Sequence, residues 1–163
     1  MAAKNKEMKT NVMRLLEQKK IPYQAHFYEQ EGEGAGSDYG RSVAEKLGEN
    51  PAQVFKTLVL QGASREYAVC VIPVERELDL KIAARCLHEK SAALIPVKEL
   101  LPLTGYLRGG CSPIGMKKHF RVYLDLSAKD FPEIYISAGR IGAQVSLAPE
   151  DLLRITGGEW AAF

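Results

Sequence analysis

Val54-Phe55-Lys56-Thr57-Leu58-Val59-Leu60, then Gly62-Ala63-Ser64-Arg65, then Tyr67-Ala68-Val69-Cys70-Val71-Ile72-Pro73 is the stretch on which the fold turns. Six of the first seven residues are β-branched, aromatic or Leu, so the run reads as a largely buried strand. The polar, Gly-containing segment reads as a hairpin tip, and the apolar run after it as the returning strand. Adjacent strands joined by a short tip pair antiparallel. That pairing directs the chain away from a purely alternating strand–helix order.

On either side the pattern changes period. Met8, Val12, Leu15, Leu16 and Lys19 recur at helical spacing, which predicts an amphipathic helix over about 6–20, ended before Ile21-Pro22. Tyr23 to Tyr28 reads as a strand and 29–36 as a polar Gly/Glu-rich surface loop. Ser42-Val43-Ala44-Glu45 has capping-box form, opening a short helix that stops at Gly48. Downstream, Asp79 can cap a helix from about Leu80 to Leu87, Ala92 to Ile95 is a short apolar piece, and Pro96 suits a first helical turn. Val122 to Leu126, Ile134 to Ser137 and Ala143 to Leu147 alternate like strands, and Pro149 opens a closing helix to about Ile155. The expected class is α+β: one domain over residues 1–163, with a mixed, mainly antiparallel sheet or barrel-like core and surrounding helices.

Composition narrows the function. At 163 residues, with 46% hydrophobic and 26% charged content, the chain can bury a real core in one domain. No apolar run approaches the roughly 20 residues of a membrane span. Met1 to Thr10 is Lys-rich and lacks an apolar h-region, so no secretory signal and a soluble, cytoplasmic protein are expected. Cys70, Cys86 and Cys111 show neither zinc spacing nor a disulfide framework, and Cys70 and Cys86 read most simply as core residues. His26, His88 and His119 lack ligand spacing, so a metalloenzyme is not expected. Net charge is only +2, no nucleic-acid signature by itself, although Lys117-Lys118-His119 with Arg121 forms a basic cluster.

Lys56 is the chemically unusual residue. A strand lysine commonly snorkels to an edge. Here no residue from Val54 to Leu60 other than Lys56 is charged, which favours an ammonium pointed into a cavity. Alternation places it on the face of Val54 and Leu58, opposite Phe55 and Thr57. The second unusual stretch is Gly105-Tyr106-Leu107-Arg108-Gly109-Gly110-Cys111-Ser112-Pro113-Ile114-Gly115, irregular and able to aim backbone N–H groups at an anion or oxyanion. It matches no nucleotide-binding glycine motif, and a plain connection remains the alternative. Ser137-Ala138-Gly139-Arg140-Ile141-Gly142 is either a simple hairpin turn or a pocket wall facing that loop. Cys111 would need a base or positive field to act as a nucleophile, and spacing supplies none. No Ser/His/Asp set or carboxylate pair is readable.

Taken together, Ile21-Pro22-Tyr23 with His26 and Tyr28, Gly48 through Val59, Leu78-Asp79-Leu80-Lys81, Thr104 through Gly115, Lys117-Lys118, Ile136 through Arg140 and Leu147 to Leu152 resemble the YbaK/EbsC family of aminoacyl-tRNA deacylases. That family is related to the editing domain inserted in bacterial-type prolyl-tRNA synthetases. The resemblance runs from Lys9 to about Ile155, and is closer to the free-standing Cys-tRNA(Pro) deacylases. It implies trans-editing hydrolysis of cysteine attached to proline tRNA, and extension to Cys-tRNA(Cys), by an enzyme without metal or organic cofactor. The substrate's own thiol attacks its ester carbonyl. Charged tRNA and, transiently, prolyl-tRNA synthetase are the implied partners, with no membrane or DNA. The resemblance makes Lys56 the essential residue, with Gly109, Gly110, Ser112, Pro113, Ser137 and Gly139 lining the pocket and Gly109, Gly110 and Ser112 supplying donors. Tyr28, Tyr39 and Thr57 resemble further pocket positions. Gln144 stands where some relatives carry an acidic residue, so no catalytic carboxylate is assigned there. Two alternatives stay open: an Ala-tRNA(Pro) deacylase, or a non-catalytic module that binds tRNA ends or nucleotides.

Overall fold

The computed structural model describes residues 8–29 and 39–163. Its first helix, α1 (Asn11–Gln18), is shorter than the periodicity predicts. Thr10 takes an extended conformation and its hydroxyl accepts the Met13 N–H at 3.3 Å, so the helix cannot start before it. Met8 therefore lies outside the helix and is exposed, while Val12, Met13 and Leu16 are buried. Strand β1 (Gln24–Phe27) follows. Helix α2 (Tyr39–Leu47) starts three residues before the predicted capping box. Ser42 is thus inside the helix and is not its N-cap, because Tyr39 to Arg41 already hold helical geometry. Gly48 closes it at φ +68°, as expected. The Gly/Glu-rich loop lies almost wholly outside the described residues.

The decisive stretch forms β2 (Phe55–Gly62) and β3 (Tyr67–Pro73), paired antiparallel with Lys56 opposite Ile72 and Thr57 opposite Val71. Next come α3 (Leu80–Cys86), β4 (Ala92–Leu94) and α4 (Val97–Thr104). Asp79 caps α3 by accepting the Lys81 and Ile82 N–H groups. Strand β5 (Arg121–Asp125) leads through a 3-10 turn, Leu126–Asp130, to β6 (Ile134–Ser137) and β7 (Ala143–Leu147). Helix α5 (Pro149–Thr156) and β8 (Glu159–Ala161) end the fold. The 3-10 turn and β8 were not predicted; each is too short to show a period.

The strands divide into two sheets. One is three-stranded and antiparallel, in the order β1-β7-β6. The other is five-stranded and mixed, in the order β4-β2-β3-β5-β8, with β3, β5 and β8 parallel. A bridge between Val54 and Tyr135 ties the entry of β2 to β6. The class is α+β, as expected.

Period-two alternation along β2 sorts its side chains. Phe55 and Val59 enter the main core with Val12, Leu16, Val69, Val71, Leu124, Ile134, Ile136, Val145, Leu147 and Leu152. Leu58 and Leu60 face the other way, against Ala68, Cys70, Tyr123 and, from α3, Ala83 and Leu87. Val54 packs with Ala44 of α2 and with Val74. Each fully buried Val, Leu or Ile contributes roughly 1.5–3 kcal/mol, so a one-residue slip that exchanged the two faces would be prohibitive. Cys70 is core, as expected. Cys86 is only half-buried, at the last turn of α3, its Sγ 3.6 Å from the Ala162 carbonyl. Among the described residues no helix is long and apolar enough to cross a membrane.

Candidate functional site

Lys56 is the second residue of β2, on the face shared with Leu58, as alternation predicts. Its side chain is half-buried. Burial holds its pKa below the ordinary lysine value, and the Glu77 carboxylate opposes that only in part. Among the described residues no hydrogen bond or ion pair reaches the ammonium. A cation stripped of some of its water and left unpaired retains donor capacity for an oxygen-rich ligand.

Thr57 projects from the opposite face. Its hydroxyl is buried with no hydrogen-bond partner among the described residues. Leaving such a group unsatisfied costs about 1–3 kcal/mol, a cost that a ligand or water at the hydroxyl would remove.

The Gly-rich loop and the β6–β7 turn meet directly. A Cβ on Gly110 would sit 3.0 Å from the Arg140 Cα and carbonyl carbon and from the Ile141 nitrogen. Only glycine lets the two backbones approach this closely. Gly139, at φ +98°, lies against the Tyr106 ring, and Tyr106 donates to the Ile114 carbonyl at 2.5 Å. The turn therefore packs against the glycine loop, the arrangement that a shared pocket wall requires. Ser137 Oγ accepts the Gly139 N–H at 3.2 Å, pinning the turn. Tyr28 joins the same turn through its N–H, which donates to the Gly142 carbonyl at 3.0 Å. Tyr39 opens α2, but its side chain lies outside the described residues.

One expected donor is already engaged. The Gly110 N–H bonds the Leu107 carbonyl at 3.0 Å, closing a turn inside the loop. The N–H groups of Gly109, Cys111 and Ser112 have no such partner among the described residues. Ser112 is fully buried and its hydroxyl accepts the Ile114 N–H at 3.3 Å; Pro113 beside it is buried too. Lys56 makes no hydrogen bond to this loop among the described residues.

Two polar residues that the sequence reading did not assign stand out here. Arg140 has buried Nε and Nη2 atoms with no hydrogen-bond partner among the described residues, and its guanidinium lies 5.9 Å over the Phe27 ring. Gln144, the register partner of Ser137, is buried with an unpartnered Oε1 among the described residues. An arginine directly after a turn glycine is a weak sequence signal, since most such residues are solvated. Only the tertiary burial of its Nε and Nη2 shows that Arg140 is not.

Cys111 is buried, and that burial pushes its thiol up to about 12. It is a neutral thiol at physiological pH, not an activated nucleophile. His26 donates to or accepts from Ser146 Oγ at 2.9 Å, and its pKa is lowered by burial, with Glu133 opposing. Ser146 is fully buried and His26 half-buried, on the paired strands β7 and β1.

Residues 37–155 match the family model for an aminoacyl-tRNA editing domain. Over 161 residues the chain is 44% identical to a protein of Enterococcus faecalis (strain ATCC 700802 / V583) that bears the name Cys-tRNA(Pro)/Cys-tRNA(Cys) deacylase EbsC, covering 99% of this chain and 96% of that one. It is 28% identical over 110 residues to the uncharacterized protein YwhH of Bacillus subtilis (strain 168), covering 68% and 69% of the two chains. A solved structure described as a trans-editing enzyme for prolyl-tRNA synthetase superposes with a TM-score of 0.75 at 23% identity, over 95% of this chain and 98% of that one. A hypothetical protein of known structure superposes with a TM-score of 0.82 at 20% identity, over 94% and 98%. At such identities the structural likeness shows the fold.

Proposed function

The chain belongs to the aminoacyl-tRNA editing domain family, and from that premise we propose that it removes cysteine from mischarged proline tRNA. The observation that carries this reading is the Lys56 ammonium, held half-buried on a rigid strand with no described ion-pair partner. The 44% identity to EbsC supports cysteine as the amino acid.

The chemistry needs no protein nucleophile. The cysteinyl sulfur attacks its own ester carbonyl, a C–S bond forms, and the bond to the ribose oxygen breaks. The thiol proton leaves with that oxygen, and water then opens the thiolactone to free cysteine. Holding thiol and carbonyl in attacking geometry removes several kcal/mol of the barrier. Donors aimed at the developing oxyanion are worth roughly 3 kcal/mol more. Lys56 orients the terminal ribose and ester, and the N–H groups of Gly109, Cys111 and Ser112 serve as the donors. Gly110 shapes the loop instead. Pro113, Ser137 and Gly139 form the wall, with Tyr28, Tyr39 and Thr57 as further contacts.

A thiol-dependent step selects the amino acid without reading the tRNA, so Cys-tRNA(Cys) is a second substrate. Selection of proline tRNA then comes from transient association with prolyl-tRNA synthetase in the cytoplasm. The test is deacylation of Cys-, Ala- and Pro-tRNA(Pro) by the wild-type protein and Lys56→Ala. Release of cysteine alone, abolished in a variant with unchanged thermal unfolding, is the expected result. Equal turnover of Ala-tRNA(Pro), which has no thiol, or normal turnover by Lys56→Ala, would overturn the mechanism.

A further inference from the structure

Beyond the glycine loop the same segment lines a concavity. Residues 113–120, together with Val122 of β5 and Ile155 and Thr156 of α5, enclose a recess of about 200 Å³. That is several times the space one water needs. Its floor includes the buried side chains of Ile114, Phe120 and Val122. Its rim carries Lys117, Lys118 and His119, all exposed. Among the described residues no carboxylate lines it, and neither lysine forms an ion pair or side-chain hydrogen bond.

The rim is held in place by the backbone. The Lys117 N–H bonds the Thr104 carbonyl at 3.0 Å, and its side-chain stem lies over Gly105, the left-handed end of α4. Capping the C-terminus of α5 is the competing explanation for these cations. That helix end carries only about half a negative charge, against two full ammonium charges, so the recess stays net positive. An apolar floor under an unpaired cationic rim suits a nucleotide unit, with phosphate at the rim and sugar or base below.

We propose that this recess binds a phosphodiester of the RNA substrate, a few nucleotides from the acylated end. This rests on the deacylase reading above. Pro113 belongs both to the acyl-site wall and to the recess, and the four residue steps from Pro113 to Lys117 span at most about 14 Å. An RNA strand whose 3′ ribose sits at the glycine loop therefore passes the recess within its single-stranded end. Lys117 and Lys118 are the groups that give a protein of net charge +2 its local grip on a polyanion.

The test compares wild type, Lys117→Glu/Lys118→Glu and Lys117→Arg/Lys118→Arg. Fluorescence anisotropy with an uncharged acceptor-end RNA reads the recess without turnover. The Glu variant should bind at least 10-fold more weakly at low salt, and the dependence of log affinity on log salt should flatten by about 0.7 for each phosphate that the protein no longer neutralises. The Arg variant should bind like wild type. With substrate, the Glu variant should raise KM for Cys-tRNA(Pro) and leave kcat unchanged, while hydrolysis of the cysteinyl ester of adenosine alone is unaffected. Unchanged RNA affinity in a folded Glu variant overturns the proposal, as does absence of RNA binding by wild type. Lysine-dependent binding of polyglutamate in preference to RNA would assign the recess to an acidic protein and likewise overturn it. Absence of deacylation by the wild-type protein, with lysine-dependent RNA binding intact, would instead strike only the reading of function.

Discussion

Gly110 rests on Arg140: the hydrogen of the glycine occupies the place where a methyl would stand 3.0 Å from the arginine Cα. Gly110→Ala must push the glycine loop and the β6–β7 turn apart by a few tenths of an ångström. Overpacking of this kind costs about 1–2 kcal/mol. Urea unfolding should show that loss, and deacylation should fall further than stability does, because the displaced donors flank residue 110.

Arg140 should matter to substrate binding although no motif singled it out. Its buried Nε and Nη2 lack partners among the described residues. Arg140→Lys keeps the charge and discards the planar fork. We expect at least a 10-fold rise in KM with an unchanged melting temperature. An unaltered KM would confine Arg140 to its stacking on Phe27.

Cys111→Ala should retain kcat within about threefold. The thiol is buried and its pKa is pushed up to about 12, so essentially none is ionised at pH 7. The backbone N–H at that position survives the substitution. Loss of turnover in a folded Cys111→Ala protein would restore a protein nucleophile to the mechanism.

Glu49 sets a pH dependence of stability. Burial first, and then the neighbouring Glu133 carboxylate, push its pKa up to about 7 from an ordinary 4.5. The folded protein thus holds a proton that the unfolded chain has released, and stability is lost as pH rises from 4.5 through 7. The group is partly exposed, so the loss is about 1 kcal/mol, well below the full shift. Glu49→Gln should remove this slope and be the more stable protein at pH 8. Parallel stability–pH curves for the two proteins would contradict it.

The elements were legible wherever a period ran long enough. Strand β2, its tip and β3 appear where the apolar runs and Gly62 to Arg65 place them, and Asp79, Gly48 and Pro149 mark helix ends as predicted. The errors are local competitions. Thr10 captured the start of α1 from the longer hydrophobic stripe, and α2 began ahead of a box that only resembles a cap. Strand β8 carries three residues and is held by pairing with β5, a partner that no local pattern names. In the site, Lys56 was legible because a lone charge in an apolar strand is conspicuous in one dimension. Arg140 and the engaged Gly110 N–H were not.

By itself the sequence determined the α+β class, the strand that carries Lys56 and the face from which it leaves. Those follow from side-chain periodicity and hydrophobic burial, which act between near neighbours in the chain. The tertiary structure alone decided that the β strands split into two sheets, and that the loop at Gly110 closes on the turn at Arg140. It also decided that Thr57 is left buried without a partner among the described residues. Such relations depend on strand pairing between distant segments, where a glycine's missing side chain matters only once another backbone has arrived against it.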